Sequence, residues 1–300
     1  MKRYYYPVHV YLNRRRKKTH NNGPYQGTAF AVPRTGCPEV NVRLYRPEGD
    51  RAGTLPVLFN IHGGGWLFGD AEAVDLQSQY LANHLGCLVV NIDYRLLDAE
   101  PFPYQQSEIA DTVCWFRANA ARFGIDPDRT AIAGYSAGGH IAAGAAMLLR
   151  DRGVSLRAQI LGYPFLNFIG FDCAAYIGAH GTARRIFNRF ARTVLFEKMP
   201  PEAPLLSPGN ADPAALRGLA PAVIIPCGKN DPLLPQAAAY AERLREAGVK
   251  TVYREYKDAE HGFLEHNFPD DPAAFEKESE QDRLMRDAVE FIRGLDLFAV

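Results

Sequence analysis

From residue 40 onward, short apolar runs alternate with longer segments whose apolar residues recur at helical spacing. The runs Val40–Arg46, Leu55–Ile61, Cys87–Asp93, Thr130–Ala133, Ala158–Leu161, Ala222–Cys227 and Thr251–Tyr256 predict strands. Several, such as Cys-Leu-Val-Val-Asn-Ile, are apolar at nearly every position, which predicts strands covered on both faces. Helical patterns fall between them at about 74–85, 107–123, 137–150, 236–247 and 281–295, with Gly248 placed to end the fourth. Strand and helix in alternation predict an α/β fold, a mostly parallel central sheet with helices on both faces.

Two stretches depart from this rhythm. Residues 1–36 show neither period and contain the basic run Arg14-Arg15-Arg16-Lys17-Lys18. They are read as an irregular N-terminal arm whose charges face water rather than nucleic acid. Residues 165–205 interleave Phe165, Phe168, Phe171, Tyr176, Phe187, Phe190 and Phe196 with Arg184, Arg185, Arg189 and Arg192. A short crossover would suffice between the flanking strands, so this stretch is expected to be an inserted helical cap over the carboxyl edge of the sheet. The whole, 1–300, is expected to be one domain.

Composition narrows the function classes. With 47% hydrophobic residues and Lys plus Arg equal to Asp plus Glu at 34 each, the chain is ordinary for a globular protein and has no net field to attract nucleic acid or anionic lipid. No run approaches the ~18 apolar residues of a membrane span. The start lacks the apolar region of a secretory leader, so the cytoplasm is the expected compartment. Five cysteines, widely spaced and never paired as CxxC, fit buried reduced thiols better than disulfides or a metal site.

The chemistry is concentrated in four places. Gly134-Tyr135-Ser136-Ala137-Gly138 is a G-x-S-x-G pattern, which in a chain with six serines and 26 glycines arises by chance only about 0.04 times. It follows the strand Thr-Ala-Ile-Ala and opens a helix of small residues, the strand–turn–helix that presents a nucleophilic serine. His62-Gly63-Gly64-Gly65-Trp66 ends another strand, and its glycines let backbone N–H groups approach a developing oxyanion. Gly63 and Gly64, with Ala137, are the candidate donors, and His62 is read as fixing the loop. A phosphate-binding loop fits less well because no Walker-type lysine follows. His261, just past the last strand, is the candidate base. Asp231, after Ala-Val-Ile-Ile-Pro-Cys, is the candidate orienting acid, though an Asp-Pro can equally be a turn residue.

Taken together these residues, with Asp93-Tyr94-Arg95-Leu96, Glu100-Pro101-Phe102-Pro103, Ser207-Pro208, Asp231-Pro232-Leu233 and His261-Gly262-Phe263, resemble the hormone-sensitive-lipase-like family of carboxylesterases and acetyl esterases over about residues 55–265. The resemblance implies an α/β-hydrolase fold and a serine carboxylesterase that uses Ser136, His261 and Asp231 with no cofactor and no metal. Its expected partner is a small-molecule ester, preferably acetyl to butyryl, with a homo-oligomer left open. Tyr135, where many members have Asp, and Leu234-Pro235-Gln236, in place of an acidic pair, depart from the family pattern. The sequence is also similar to arylformamidases, so an arylformamidase or amidase on the same triad is the alternative, and a non-catalytic binding protein on the same fold is the other.

Overall fold

The computed structural model describes residues 24–49, 52–97, 99–170, 181, 182, 185, 188, 189, 196–228, 230–265 and 279–299. Eight strands form one sheet: β1 Thr28–Arg34, β2 Cys37–Tyr45, β3 Leu55–Ile61, β4 Leu88–Asp93, β5 Ile125–Tyr135, β6 Ala158–Gly162, β7 Ala222–Ile225 and β8 Thr251–Tyr253. Their order is β1-β2-β4-β3-β5-β6-β7-β8, antiparallel for the β1–β2 and β2–β4 pairs and parallel from β4 onward. The helices are α1 Asp75–Leu85, α2 Tyr104–Ala118, α3 Ala120–Phe123, α4 Ala137–Asp151, α5 Pro213–Leu216, α6 Leu234–Glu246 and α7 Glu280–Gly294.

The continuous apolar runs have the consequence expected of them. In β3, Val57, Phe59 and Ile61 join one core while Leu58 joins the other. Successive strand residues point to opposite faces, so a strand covered on both must be apolar throughout. Side chains of α2, α4 and α6 supply the first core, and those of α1 and α7 the second. Gly248 takes φ +78° just past α6, as a helix-ending glycine should.

The N-terminal reading needs one correction. Residues 28–34, assigned to an irregular arm, are the edge strand β1, paired from Thr28↔Leu44 to Arg34↔Cys37. Val32 is its only buried residue, so the hydrophobic pattern is weak and the ladder with β2 supplies what the pattern does not. Asp75 anchors its start by accepting hydrogen bonds from Gln26 N–H, Gly27 N–H and Tyr45 Oη. The rest of the arm, 1–23, lies outside the described residues. So does about half of the expected cap, including Phe171, Tyr176, Arg184, Phe187, Phe190 and Arg192.

Two described members of that stretch are core rather than cap. Phe165 and Phe168 are buried just after β6 with Trp66, Phe102 and His140. Among the described cysteines, Cys87 and Cys227 are buried free thiols, but Cys37 is exposed. No helix among the described residues is long and apolar enough to cross a membrane.

Candidate active site

Parallel strands in register bring their carboxyl ends to one edge. Ile61 pairs with Gly134, Tyr135 with Gly162 and Gly162 with Ile225, so the loops after β3, β5, β6 and β7 start side by side. Ser136 lies in the turn from β5 to α4 at φ 52°, ψ −116°, a strained backbone for a residue with a side chain. Its neighbouring glycines are required for space. A Cβ on Gly134 would lie 2.3 Å from Gly138 O, inside the turn itself. A Cβ on Gly138 would lie 2.3 Å from Ile61 O and 2.4 Å from His62 O. Gly138 therefore lets the start of α4 press against the glycine loop.

His261 Nε2 lies 2.8 Å from Ser136 Oγ, and His261 Nδ1 lies 2.9 Å from Asp231 Oδ2. An ionised carboxylate only accepts, so Nδ1 carries the imidazole proton and Nε2 is left to accept from the serine hydroxyl. Three residues separated by up to 125 positions thus form one chain of hydrogen bonds. Asp231 has two partners: its Oδ1 accepts Leu233 N–H at 2.9 Å, closing the turn, while its Oδ2 faces His261 Nδ1.

The Cys227 thiol also donates to Asp231 Oδ2, at 2.8 Å. Burial would raise the Asp231 pKa, but hydrogen bonds from His261 and Cys227 outweigh it and hold the carboxyl below its ordinary value. Burial and the adjoining carboxylate push the Cys227 thiol up in turn. Cys227, Asp231 and His261 place three potential metal ligands within 4.8 Å of one another. Each is already committed to this chain, and a thiol held protonated is a poor ligand.

The glycine loop turns left-handed, with φ +112° at Gly64, +60° at Gly65 and +62° at Trp66. A Cβ on Gly64 would lie 2.1 Å from Phe68 O, so glycine is obligatory there. His62 fixes the loop as expected. It is buried, its Nδ1–H donates to Gly63 O at 2.7 Å, its ring stacks on Tyr94 at 4.4 Å, and burial lowers its pKa to about 4. Tyr94 Oη in turn donates to His62 O at 3.2 Å.

One expected donor is taken. Gly63 N–H donates to Glu265 Oε1 at 2.5 Å, so of the three candidate N–H groups this one already has an acceptor within the chain. The N–H of Ala137, the first residue of α4, belongs to the helix end whose donors lack intrahelical acceptors. Trp66, which follows the three glycines, is buried in the aromatic cluster, with its indole N–H donating to His140 Nδ1 at 3.2 Å. The open cleft, about 440 Å³, is lined by Gly63, Gly64, Val74, His261, Phe263 and Glu265 among others.

Sequence reasoning missed Cys227 and Glu265, because a buried thiol and a glutamate past the base carry no pattern of their own. The departures from the family pattern have local explanations. Gln236 Oε1 accepts Leu166 N–H and Asn167 N–H at 2.8 and 2.9 Å, tying α6 to the loop after β6. The Tyr135 ring occupies space that a Cβ on Gly162 would fill, 2.6 Å from Tyr135 Cδ1.

This sheet and its serine, histidine and aspartate define the α/β-hydrolase class. The chain belongs to the alpha/beta hydrolase fold family, abhydrolase_3, whose model matches residues 58–265. It is 35% identical over 240 residues to carboxylesterase NlhH of Mycobacterium tuberculosis (strain ATCC 25618 / H37Rv), covering 76% of this chain and 72% of that one. It is 32% identical over 241 residues to an arylesterase of Saccharolobus solfataricus, covering 75% and 73%. The solved Pyrobaculum calidifontis esterase superposes with a TM-score of 0.74 at 28% identity, over 97% of this chain and 93% of that one.

Proposed function

We propose that this protein hydrolyses short-chain carboxylic esters through an acyl-enzyme on Ser136. That it is a carboxylic ester hydrolase follows from its family and from relatives named carboxylesterase and arylesterase that match three quarters of the chain. The observation that carries the catalytic reading is the chain Ser136 Oγ–His261 Nε2, His261 Nδ1–Asp231 Oδ2, at 2.8 and 2.9 Å. His261 takes the serine proton as Oγ attacks the ester carbonyl, and returns it to the leaving alcohol. Asp231 keeps the imidazole in the required tautomer and stabilises its cation. Gly64 and Ala137 N–H groups stabilise the tetrahedral oxyanion, each such donor contributing about 10²–10³ in rate. Water, activated by the same histidine, then releases the acid.

The preference for short acyl groups is supported by the packing beside the nucleophile. Phe165 N–H donates to Ser136 O at 3.1 Å, and behind it Trp66, Phe102, Phe165 and Phe168 are buried against one another. Rings packed in this way fill the volume a long acyl chain would need. Acetyl to butyryl esters are therefore expected to be turned over best. Each further methylene is worth ~0.8 kcal/mol only where it finds a pocket.

Two measurements test the reading. Ser136→Ala should lower kcat for p-nitrophenyl acetate by about 10⁴ or more with an unchanged melting temperature, and near-normal turnover would refute the nucleophile. The kcat/KM series from acetate to decanoate should peak at or before butyrate. A maximum at octanoate or beyond would mean an open acyl channel and the wrong substrate class.

A further inference from the structure

Glu265 is a partly buried carboxylate at the site that the reaction as described does not use. It ends the turn Phe263–Glu265, four residues past the base. Its Oε1 accepts Gly63 N–H at 2.5 Å, joining segments 202 residues apart, and its Oε2 accepts from Tyr163 Oη at 3.3 Å. The Tyr163 ring lies 4.8 Å from the His261 imidazole. The fit around Gly63 is close: a Cβ there would lie 2.7 Å from Glu265 Oε2. The same turn is held from its other side, where Gln77 Nε2 donates to Leu264 O at 2.9 Å. One carboxylate thus connects the loop that bears the base, the loop that bears the oxyanion donors and the segment after β6.

We propose that Glu265 is a positioning residue for ester hydrolysis, clamping the glycine loop to the His261 loop so that the Gly64 and Ala137 N–H groups stay in register with Ser136 and His261. The inference rests on the triad reading above. Fixing Gly63 restricts the next peptide unit, and Gly64 has no side chain to restrict it otherwise. Oxyanion donors act only when aimed in advance, and a misplacement of about 1 Å costs on the order of 10² in rate.

The carboxylate is also the one chemical choice that couples this clamp to proton transfer. Burial pushes its pKa up to about 7 against the opposing pull of Gly63 N–H, His261 and Tyr163. The titratable groups facing it are Tyr163, Tyr135 and Tyr94, each a phenol pushed up by burial, and His261. His62 beneath the loop is kept neutral by burial. Among these, His261 alone gains a positive charge during turnover, and an ionised Glu265 favours that cation as well as holding Gly63 N–H.

Steady-state kinetics of Glu265→Ala, Glu265→Gln and Ser136→Ala with p-nitrophenyl acetate test the clamp. Glu265→Ala should lower kcat at least about tenfold while KM changes less than about threefold, the signature of an interaction used in the transition state. Glu265→Gln keeps an oxygen to accept Gly63 N–H and should recover most of that loss. The kcat–pH profile of the wild type should contain an ionisation near pH 7 that Glu265→Gln lacks. A Glu265→Ala enzyme within about twofold of wild type would overturn the inference, as would equal losses in both variants with an unchanged pH profile. Should Glu265→Ala fail to fold, the Glu265→Gln profile decides alone, and superposition on wild type overturns the proposal. Turnover surviving in Ser136→Ala would refute the triad itself, whereas a dead Ser136→Ala beside a normal Glu265→Ala refutes only the clamp.

Discussion

Ser136 on one side of the site, and Asp231 with His261 on the other, are held in place by different means. The serine sits between a strand and a helix, both buried, and its backbone is forced to φ 52° by contacts that exclude even a methyl group at Gly134 and Gly138. Asp231 and His261 sit on loops beyond β7 and β8, and their geometry comes from hydrogen bonds to one carboxylate: Leu233 N–H, Cys227 Sγ and His261 Nδ1 all donate to Asp231. A backbone locked by sterics can fail only by moving whole elements. A side-chain chain can be loosened one bond at a time. Substitutions on the two sides should therefore differ in kind: lost stability with lost activity where the elbow glycines are replaced, graded losses of activity along the Asp231–His261 arm.

Among substitutions that leave Ser136 in place, the largest expected effect is on the arm. Asp231→Asn should lower kcat by about 10⁴, because the amide favours the wrong imidazole tautomer, with little change in melting temperature. Glu260→Gln, an exposed neighbour of the base, should stay within about threefold of wild type in kcat/KM. A crippled Glu260→Gln beside an active Asp231→Asn would transfer the role of orienting acid.

Gly138→Ala comes next and should damage the elbow as a unit. Its Cβ would meet the Ile61 and His62 carbonyls at 2.3 and 2.4 Å, and backbone cannot rotate aside as a side chain can. A loss of about 2–4 kcal/mol in unfolding free energy and about 10² in kcat is expected, measured by denaturant titration and kinetics. A stable but inactive variant would show that the two properties are not joined there.

Cys227→Ala should have a smaller effect than Gly138→Ala, about tenfold or less in kcat, since one weak donor is lost while His261 remains. It should also alter the pH dependence of stability. A carboxyl whose pKa is depressed by folding contributes stability above its unfolded value, and that contribution disappears as pH falls through the folded value. Without the thiol the Asp231 pKa moves upward, so the variant should gain less from this carboxyl and lose it at higher pH. Unfolding curves collected from pH 3 to 7 check this, and identical curves would remove Cys227 from the arm.

The β3 and α4 readings match the structure closely because the information there is local. Leu55–Ile61 is apolar throughout since both its faces are covered, and Gly-x-Ser-x-Gly is a steric requirement of one turn. Strand β1 was illegible for the opposite reason, being an edge strand with one buried residue that is stabilised by its pairing with β2. Trp66 shows the same limit. Its place after three glycines does not say where the side chain goes, and at φ 62° the indole packs into the aromatic cluster with His140 and Phe165.

By itself the sequence determined the alternation of strands and helices and the glycine-flanked turn that carries Ser136, because hydrophobic period and glycine sterics act over a few neighbouring residues. Only the tertiary structure decided what each N–H and carboxylate faces. The Gly63 N–H, a candidate oxyanion donor by sequence, faces the Glu265 carboxylate, and the Cys227 thiol faces Asp231. A hydrogen bond needs its partners placed to within a few tenths of an ångström, and for groups 202 residues apart no local pattern carries that precision.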